Sequence, residues 1–555
     1  MTRLSFTVLL LVSVSAPLAA QTSLEGRVDS VFRQYASTES PGCVVGAAQH
    51  GRVLLERAYG MADLERGVPL TVSSILEAGS VSKQFTAAAV LLLARDGKLS
   101  LDDPVRRWVP EVPDFGGGQP VTIRHMLHHM SGLRDWGSIT GVAGWPRNSR
   151  ALDHRQVLQV IGKMRELNFP PGTEYEYSNS NYNLLAIVAE RASGEPFPAF
   201  TRRRIFEPLG MTSTSWRDDA MRVVRGRALS YDRDGTEWKG ERAIENIYGN
   251  CCLLTTVGDL LKWNAAFDST RLGGAGFGAE QERRGVLANG RTITYAAGLF
   301  VDTYRGQPYV AHSGATAGYR ANIVRYPRAE VSVAVLCNAG TADPETMADS
   351  VADALLTFSA RTTPTPPVRV EVAASAIADK AGRYRNLRDM MAQRLVVKDG
   401  RLETERGIEL IPIDATATTF QAARGGYRLL FKHRADSHYD VRIVTQSGDT
   451  VPADGVPDPD TTRAALGAYV GLYESPEAEA TVRVALDSAG TGLVMTRVSN
   501  SGGPWRLQPL YRDGFVMPPG PLVFTRDSAK RVTGFRFTTA RVRNLRFERK
   551  SERPT

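Results

Sequence analysis

Cysteine is scarce in this chain: there are four in 555 residues, and no two of them form a Cys-x-x-Cys pair. A scaffold built from disulfides is therefore excluded. No run of five or more charges of one sign occurs although the net charge is +9, so the basic excess does not indicate a nucleic-acid partner. Hydrophobic residues make up 42% and charged residues 23%, which excludes wholesale disorder, collagen and coiled coil.

Long apolar runs are missing beyond the first 20 residues. Residues 1–20 hold one early cation, Arg3, then an apolar run, Pro17, and the small residues Ala19 and Ala20. This layout predicts a secretory signal peptide, and hence a periplasmic or secreted protein with no integral membrane segment after cleavage. The alternative is an N-terminal membrane anchor, but the run is shorter than the roughly 20 apolar residues that span a bilayer.

Export would expose the four cysteines to an oxidising compartment. Cys43 and Cys337 stand in apolar, strand-like runs, and Cys251 and Cys252 are adjacent. The sequence leaves the pairing of Cys43 with Cys337 open, and we expect buried free thiols instead. Nothing around any of the four predicts a catalytic thiolate.

Residues 21–360 have the pattern of one α/β domain. Two β runs flank a turn signal at His50-Gly51, helical patterns fill the middle, and strand-like runs return near the end. An amphipathic helix, which Asp343 can cap and Pro344 can begin, closes the block. We expect one antiparallel sheet joined from both ends of the block, flanked by helices, plus a helical lobe.

The sequence pattern changes after a Thr/Pro-rich linker, which we place at 361–375. Short alternating β runs dominate 376–450 and 466–555, and a loose segment at 451–465 separates them. The halves resemble a repeat, because Gly382 and Tyr384 match Gly471 and Tyr473. Each half has about eight short β runs, enough for a small antiparallel, lipocalin-like β-barrel.

Ser80 and Lys83 form the strongest chemical signal. They lie in Gly-Ser-Val-Ser-Lys, just before an apolar helical run, so Ser80 is expected at a helix N-terminus with Lys83 one turn later on the same face. A serine hydroxyl is a poor nucleophile until a base takes its proton. A lysine amine is such a base only if burial or a neighbouring cation lowers its pKa. Alone, Ser-x-x-Lys is also typical of a helix cap followed by a surface lysine.

Two weaker motifs follow. Tyr177 and Asn179 stand in a loop before a clear helix, where a phenol can relay a proton and an amide can orient a lysine; a capping loop is the plain alternative. His312, Ser313 and Gly314 come directly after a strand-like run. Small residues on a strand edge let a substrate backbone pair closely, whereas an ordinary strand-end histidine is the plain alternative.

The order Ser-x-x-Lys, Tyr-x-Asn, His-x-Gly is far more specific than any single motif. With TVSSILEAGSVSKQFTA, TIRHMLHHMSGL and YSNSNYNLLA, it makes the block 21–360 resemble the penicillin-recognising serine hydrolases: class C β-lactamases, DD-peptidases and related esterases. The third motif is His-Ser-Gly where β-lactamases usually have Lys-Thr-Gly. That departure, followed by two barrels, is similar to the three-domain D-aminopeptidases, so the resemblance covers nearly all of the mature chain.

The resemblance implies a role for each motif residue. Ser80 would be acylated, and Lys83 and Tyr177 would share the base and acid roles, with the choice between them open. Backbone N–H groups of Ser80 and Ala315 would form the oxyanion hole, with no metal or other cofactor. The residues expected to orient reacting groups and substrate are Asn179, His312 and Gly314.

The expected function is hydrolysis of small amides or esters, such as D-amino-acid peptides, through an acyl-enzyme. Partners would be small molecules or peptides, including peptidoglycan fragments; the sequence does not indicate an oligomeric state. Two alternatives stay open: a penicillin-binding sensor or cell-wall interaction protein that is acylated without turnover, and a class C-like β-lactamase. His312 weakens the last, because a lysine there would pair more strongly with a β-lactam carboxylate.

Several polar residues near residue 130 are interpreted as structural. His125, His128 and His129 have helical spacing, and two histidines on one turn can bind zinc, but no third ligand with metal spacing is evident. We expect packing and capping roles for them. Asp135 and Trp136, just beyond, are also expected to be structural, although they could line a pocket.

Overall fold

The computed structural model describes residues 23–147, 149–356, 358, 366–433, 439–498 and 504–550. The predicted signal peptide at 1–20 and residues 361–365 of the predicted linker lie outside the described residues. Within the described part, a mixed α/β domain is followed by two closed β-barrels.

A six-stranded antiparallel sheet forms the centre of the first domain. Its order is β3-β4-β5-β6-β1-β2, so strands from the end of the domain pair with strands from its beginning, as the sequence pattern predicts. The turn at His50-Gly51 joins the first two strands. The strands are β1 (Cys43–Gln49), β2 (Arg52–Tyr59), β3 (Phe300–Tyr304), β4 (Gln307–Thr316), β5 (Tyr319–Tyr326) and β6 (Val331–Cys337).

Helices cover both faces of this sheet, which is why β1 is apolar almost throughout. Val44 of β1 joins the core on the helical-lobe side, whereas Val45 joins the core under the terminal helices α1 (Leu24–Phe32) and α12 (Pro344–Leu355). Asp343 caps α12 as predicted, accepting a hydrogen bond from the backbone N–H of Thr346.

The helical lobe and its edges contain the other helices and several short strands. The helices are α2 (Lys83–Arg95), α3 (Val105–Trp108), α4 (Ile123–Leu127), α5 (Trp136–Val142), α6 (His154–Gly162), α7 (Asn179–Ser193), α8 (Phe197–Thr201), α9 (Glu207–Leu209), α10 (Val257–Ala266) and α11 (Phe277–Gln281). The short strands are Met61–Asp63, Val68–Pro69, Leu76–Glu77, Ser215–Trp216, Tyr231–Asp234, Glu237–Gly240 and Leu253–Thr255.

The cysteines correct one expectation. Cys43 and Cys337 are joined by a disulfide, and Cys251 is joined to Cys252. The expectation of buried free thiols is therefore wrong. Its cause is the sheet order: β1 and β6 are neighbours, and their register places Cys43 directly opposite Cys337, which two separate apolar runs in a sequence do not reveal.

Each of the two β-barrels closes with eight antiparallel strands, as predicted. The first barrel ends with β14, so residues 451–455 belong to it and not to the linker predicted at 451–465. Its strands are β7 (Gly382–Asn386), β8 (Ala392–Lys398), β9 (Arg401–Thr404), β10 (Glu409–Pro412), β11 (Thr419–Ala422), β12 (Arg428–His433), β13 (Tyr439–Val444) and β14 (Thr450–Gly455).

The second barrel repeats the first, including a short helix before its first strand: α13 (Ala374–Ala378) precedes β7, and α14 (Arg463–Gly467) precedes β15. Tyr384 pairs with Gln393 in the first barrel, and Tyr473 pairs with Val482 in the second. Its strands are β15 (Gly471–Ser475), β16 (Ala480–Leu486), β17 (Leu493–Arg497), β18 (Trp505–Tyr511), β19 (Gly514–Met517), β20 (Gly520–Arg526), β21 (Val532–Thr539) and β22 (Val542–Arg549).

The two barrels relate differently to the first domain. Buried residues of the second barrel belong to the same continuous apolar cluster as the helical lobe, whereas the first barrel has a separate core. Arg497 of the second barrel donates hydrogen bonds to the last carbonyls of α5, those of Gly141 and Val142. In the described part of the chain, no helix has the length and apolar character needed to cross a membrane.

Candidate active site

Ser80 lies in a turn of 3₁₀ helix, Gly79–Ser82, that leads directly into α2. The strand β4 passes tightly against this turn. A Cβ on Gly79 would stand 2.5 Å from the backbone nitrogen of Ala315, and a Cβ on Gly314 would stand 2.1 Å from the carbonyl oxygen of Ala78. Glycine is therefore required at both positions, and the backbone of Gly314 and Ala315 lies beside Ser80 as the third motif predicts.

Lys83 is completely buried and its amine has three oxygen neighbours. The Nζ lies 3.1 Å from the Ser80 hydroxyl oxygen. It also donates to the side-chain oxygen of Asn179 at 3.0 Å and to the backbone carbonyl of Asn250 at 2.6 Å. The amide oxygen and the carbonyl only accept, so they use two N–H groups of the amine. In a neutral amine the lone pair is then left for the Ser80 hydroxyl.

The electrostatic surroundings favour that neutral amine. Burial lowers the pKa of Lys83 well below its usual range, and the positive charges of Arg541 and Arg147 lower it further, while Asp135 acts in the opposite direction. The structure therefore provides both features that lower the pKa of a lysine base, burial and a neighbouring cation.

The ring of Tyr177 lies close to the amine of Lys83. The amine of Lys83 is 4.8 Å from the centre of its ring, and the guanidinium of Arg541 is 4.9 Å from it. Burial raises the pKa of the Tyr177 phenol above its ordinary value, and the hydrogen bond with Ser80 and the nearby Arg541 only partly oppose this. Tyr177 is therefore a neutral hydroxyl, able to give a proton.

Asn179 is the first residue of α7, and Asp135 fixes its position. The backbone N–H of Asn179 donates to Asp135 Oδ2 at 2.8 Å, and Asp135 Oδ1 caps α5 by accepting from the N–H of Ser138. The expectation of a structural role for Asp135 is confirmed. Its charge also acts on Lys83, which the sequence did not indicate because the two residues are far apart along the chain.

His312 lies on β4 and is buried behind the reacting groups. Its Nε2 is 3.1 Å from the Tyr295 hydroxyl, and its Nδ1 is 2.6 Å from the Ser313 carbonyl oxygen. Burial is the main cause that lowers the pKa of His312, to about 3, so the imidazole is neutral around pH 7. Its ring centre is 6.2 Å from that of Tyr177, so it contacts the edge of the site without reaching Ser80 through any described hydrogen bond.

The three histidines near residue 130 have the packing and capping roles that were expected. His125 completes a capping box at the start of α4, and His128 lies within hydrogen-bond distance of the carbonyls of Arg124 and Arg283. His129 is buried, accepts from the backbone N–H of Ser178 at 3.2 Å, and packs against the ring of Tyr177, with 4.2 Å between the tilted ring centres. It thus supports the Tyr177 loop.

Arg541 is the main feature that sequence reasoning missed. It lies in the tight turn between β21 and β22 of the second barrel, which enters the first domain beside Tyr177. Its carbonyl accepts from the N–H of Asp135 at 3.2 Å, and its guanidinium is 3.9 Å from Asp135 Oδ2. No motif marks it, because an arginine in a hairpin turn is ordinary and the partner residues are some 400 positions earlier in the chain.

One group in the described part of the chain has the chemistry of a metal site. Ligand atoms of Glu77, Cys251 and Cys252 lie within 4.8 Å of one another in the buried region behind Lys83. The two sulfurs are bonded to each other, and Glu77 accepts two hydrogen bonds from Arg217. These ligand atoms are therefore already engaged with one another and with Arg217.

A family model described as Beta-lactamase matches residues 28–357. Relatives named D-aminopeptidase match more of the chain: that of Cereibacter sphaeroides (strain KD131 / KCTC 12085) is 26% identical over 490 residues, covering 86% of this chain and 88% of the relative. The D-aminopeptidase of Gluconobacter oxydans (strain 621H) is 29% identical over a match that covers 57% of this chain and 59% of that relative. Penicillin-binding protein 4* of Bacillus subtilis (strain 168) is 30% identical over half of this chain and 64% of its own length.

Solved structures show the same fold. The octameric penicillin-binding protein homologue from Pyrococcus abyssi superposes with a TM-score of 0.54 at 22% identity, over 78% of this chain and 99% of that one. SurE with D-Leu superposes with a TM-score of 0.50 at 19% identity, over 95% of this chain and 98% of that one. The second comparison extends across the first domain and both barrels.

Proposed function

The chain belongs to the Beta-lactamase family, and on that premise we propose that it hydrolyses small amides or esters through an acyl-enzyme formed on Ser80. One observation supports this most: two acceptors, Asn179 and the carbonyl of Asn250, hold the buried amine of Lys83 against the Ser80 hydroxyl. An amine in that environment is a base that removes the proton as the serine oxygen attacks a carbonyl carbon.

The pKa directions and the contacts of the amine support one assignment of the two proton-carrying groups. Lys83, with its lowered pKa, takes the Ser80 proton, and Tyr177, with its raised pKa, stays a phenol and hydrogen-bonds to the reacting oxygen. The negative charge of the tetrahedral intermediate is received by the backbone N–H groups of Ser80 and Ala315, which lie on the two segments that glycines bring together. When the C–N or C–O bond breaks, the proton returns to the leaving group, and water then releases the acid product from Ser80.

We propose D-amino-acid amides and short peptides as the substrates, rather than β-lactams. The support is that relatives named D-aminopeptidase match 86% and 92% of the chain, which is more than the first domain alone, and that His312 replaces the usual lysine of the β-lactamases. The neutral imidazole offers a β-lactam carboxylate no ion pair.

A panel of D-alanine 4-nitroanilide, L-alanine 4-nitroanilide, nitrocefin and 4-nitrophenyl acetate tests both levels of the proposal. We expect turnover of the D-anilide above the L-anilide and nitrocefin, and loss of turnover by Ser80→Ala. Ser73→Ala, at an exposed serine on the surface, is the matched control and is expected to keep the wild-type rate.

The outcomes separate the candidate functions. If Ser80→Ala keeps full activity, the assignment of the nucleophile is wrong. If a fluorescent penicillin labels Ser80 for hours while no substrate turns over, the protein is an acylated sensor. Efficient turnover of nitrocefin alone would make it a β-lactamase.

We also propose that the protein is exported, to the periplasm or beyond. The support is the charge, apolar run and small residues of positions 1–20. Two disulfide pairs agree with an oxidising compartment. Expression of the full chain in a bacterium, followed by cell fractionation and mass determination, should find the protein outside the cytoplasm and shortened by about 20 residues. A full-length product in the cytoplasmic fraction would contradict the proposal.

A further inference from the structure

The first barrel contains a cavity of about 320 Å³ that opens at one end. None of its lining residues belongs to the site around Ser80. The side chains that form most of its wall are apolar or aromatic. They are Tyr384, Leu395, Tyr427, Leu429, Val441 and Ile443.

Strand periodicity shows that this space is the barrel interior. Lining residues alternate along the chain, since Leu429 of β12 follows Tyr427 at a spacing of two and Ile443 follows Val441 on β13 in the same way. The deeper ones are buried, with Leu395 and Val441 each 2% exposed. Below them Phe431, which pairs with Val441, closes the other end of the barrel.

The second barrel shows what fills such a space. The pair Val441 and Ala453 in the first barrel occupies the register of Phe535 and Phe547 in the second. Because Phe431 and Phe524 pair with Val441 and Phe535 respectively, the two interiors can be matched position by position.

A third interior position of the first barrel also has a smaller residue than its match in the second barrel. Ile443 pairs with Leu429 in the first barrel, and Phe537 pairs with Leu522 in the second. The cavity beside the second barrel's three phenylalanines is only about 10 Å³. Three smaller residues at matched positions therefore keep the first barrel open, although its strand number and closure are the same.

Polar groups are confined to the open end. Asn386 and Gln393 line it, and the amide of Gln393 is 3.5 Å from the Tyr427 hydroxyl. Glu405 and Arg406, of opposite charge, stand exposed at the rim. Asp389 also lines the mouth, where it accepts hydrogen bonds from the backbone N–H of Met391 and from the side-chain amide of Asn386. A molecule in the cavity thus meets hydrocarbon inside, and amide and hydroxyl groups beside a few charged side chains near the mouth.

The loop at the mouth is bound to both neighbouring domains. Arg388, in the loop between β7 and β8, pairs with Glu174 of the first domain at 2.9 Å. In the same loop the carbonyl of Met390 accepts a hydrogen bond from Tyr511 of the second barrel at 3.0 Å. A loop tied on both sides does not have to be ordered again when a ligand enters, which lowers the cost of binding.

We propose that the first barrel binds one small, mainly apolar molecule that carries an uncharged hydrogen-bonding end, such as a hydroxyl or an amide. The volume is at the lower limit of ligand pockets, roughly 300–1,000 Å³, and therefore suits a single short chain or a pair of rings but not a two-chain lipid. The proposal concerns the barrel alone and does not depend on the reaction at Ser80.

Binding of the neutral fluorophore N-phenyl-1-naphthylamine to the full-length protein tests this site, followed by its displacement with 1-decanol. We expect saturable binding of one fluorophore per chain. Ala453→Phe, which introduces the residue of the second barrel, should weaken binding at least tenfold without lowering the melting temperature. Val397→Phe places the same ring on an exposed position of β8 and should bind as wild type does.

Ile443→Phe, which copies Phe537 of the second barrel, is the second filling variant if Ala453→Phe does not fold. Far-ultraviolet circular dichroism and the melting temperature check that either variant is folded, because the first barrel has a core of its own. Absence of saturable binding by the wild type would overturn the proposal. Equal binding by the wild type and a folded filling variant would overturn it too, since the fluorophore would then occupy another surface.

Discussion

The ion pair between Arg134 and Glu477 joins the first domain to the second barrel, and its removal should loosen that junction. Two short hydrogen bonds of 2.6 and 2.8 Å link one guanidinium nitrogen to both carboxylate oxygens. The side chains are only 1% and 4% exposed. Glu477→Gln would leave the buried guanidinium with only the partly exposed Glu166, at 3.6 Å, as a counter-charge, so the loss should approach the about 3–5 kcal/mol of comparable buried pairs.

A control for this prediction lies two residues further along the chain. Glu479 pairs with Lys163 across the same junction, but the two side chains are 67% and 44% exposed, so Glu479→Gln should cost about 0–1 kcal/mol. Urea unfolding followed by tryptophan fluorescence, with limited proteolysis between the domains, compares the two variants. Equal losses of stability would refute the argument that burial of the pair decides its strength. A pair of apolar residues at 134 and 477 should restore most of the loss.

Three further predictions concern the reaction. The kcat/KM of the wild type should rise with pH and reach its plateau well below about pH 10.4, where an exposed lysine loses its proton. The reason is that Lys83 must be neutral to act and that its pKa is lowered. A rise of kcat/KM near pH 10 would contradict this. Arg541→Gln removes a charge that lowers that pKa, so the limb should move to higher pH, while Arg546→Gln should leave it in place. Gly314→Ala should reduce kcat/KM by about 100-fold, because its Cβ would stand 2.1 Å from the Ala78 carbonyl oxygen, whereas Gly240→Ala, which meets no neighbour within 4 Å, should have no effect.

The pattern of strand-like and helical runs predicted the fold class, and the motifs together with the family resemblance named residues that meet in space. Ser80 and Lys83 are one turn apart, so local geometry alone brings them together. Tyr177 and Asn179 required the family resemblance, because nothing in a capping loop indicates which helix it will face. The roles of these residues stay predictions, whereas their proximity is now described.

Other features depend on tertiary contacts that no local pattern contains. The Cys43–Cys337 pair follows from the neighbourhood of β1 and β6, and the end of the first barrel at residue 455 follows from ring closure, since β14 must pair with β7. A loose, Pro-containing segment is typical of a linker in sequence. Here closure of the barrel outweighs that local preference.

The second barrel, whose core merges with that of the first domain, also contributes to the electrostatics around Lys83. Asp135 raises the pKa of Lys83, and Arg541 lies 3.9 Å from Asp135 while lowering that same pKa. An acid that fixes Asn179 would, without this cation, favour the charged form of the lysine. The hairpin of the second barrel thus places a cation beside the carboxylate that positions Asn179, and the two charges shift the pKa of Lys83 in opposite directions, while burial is the largest cause of its lowering.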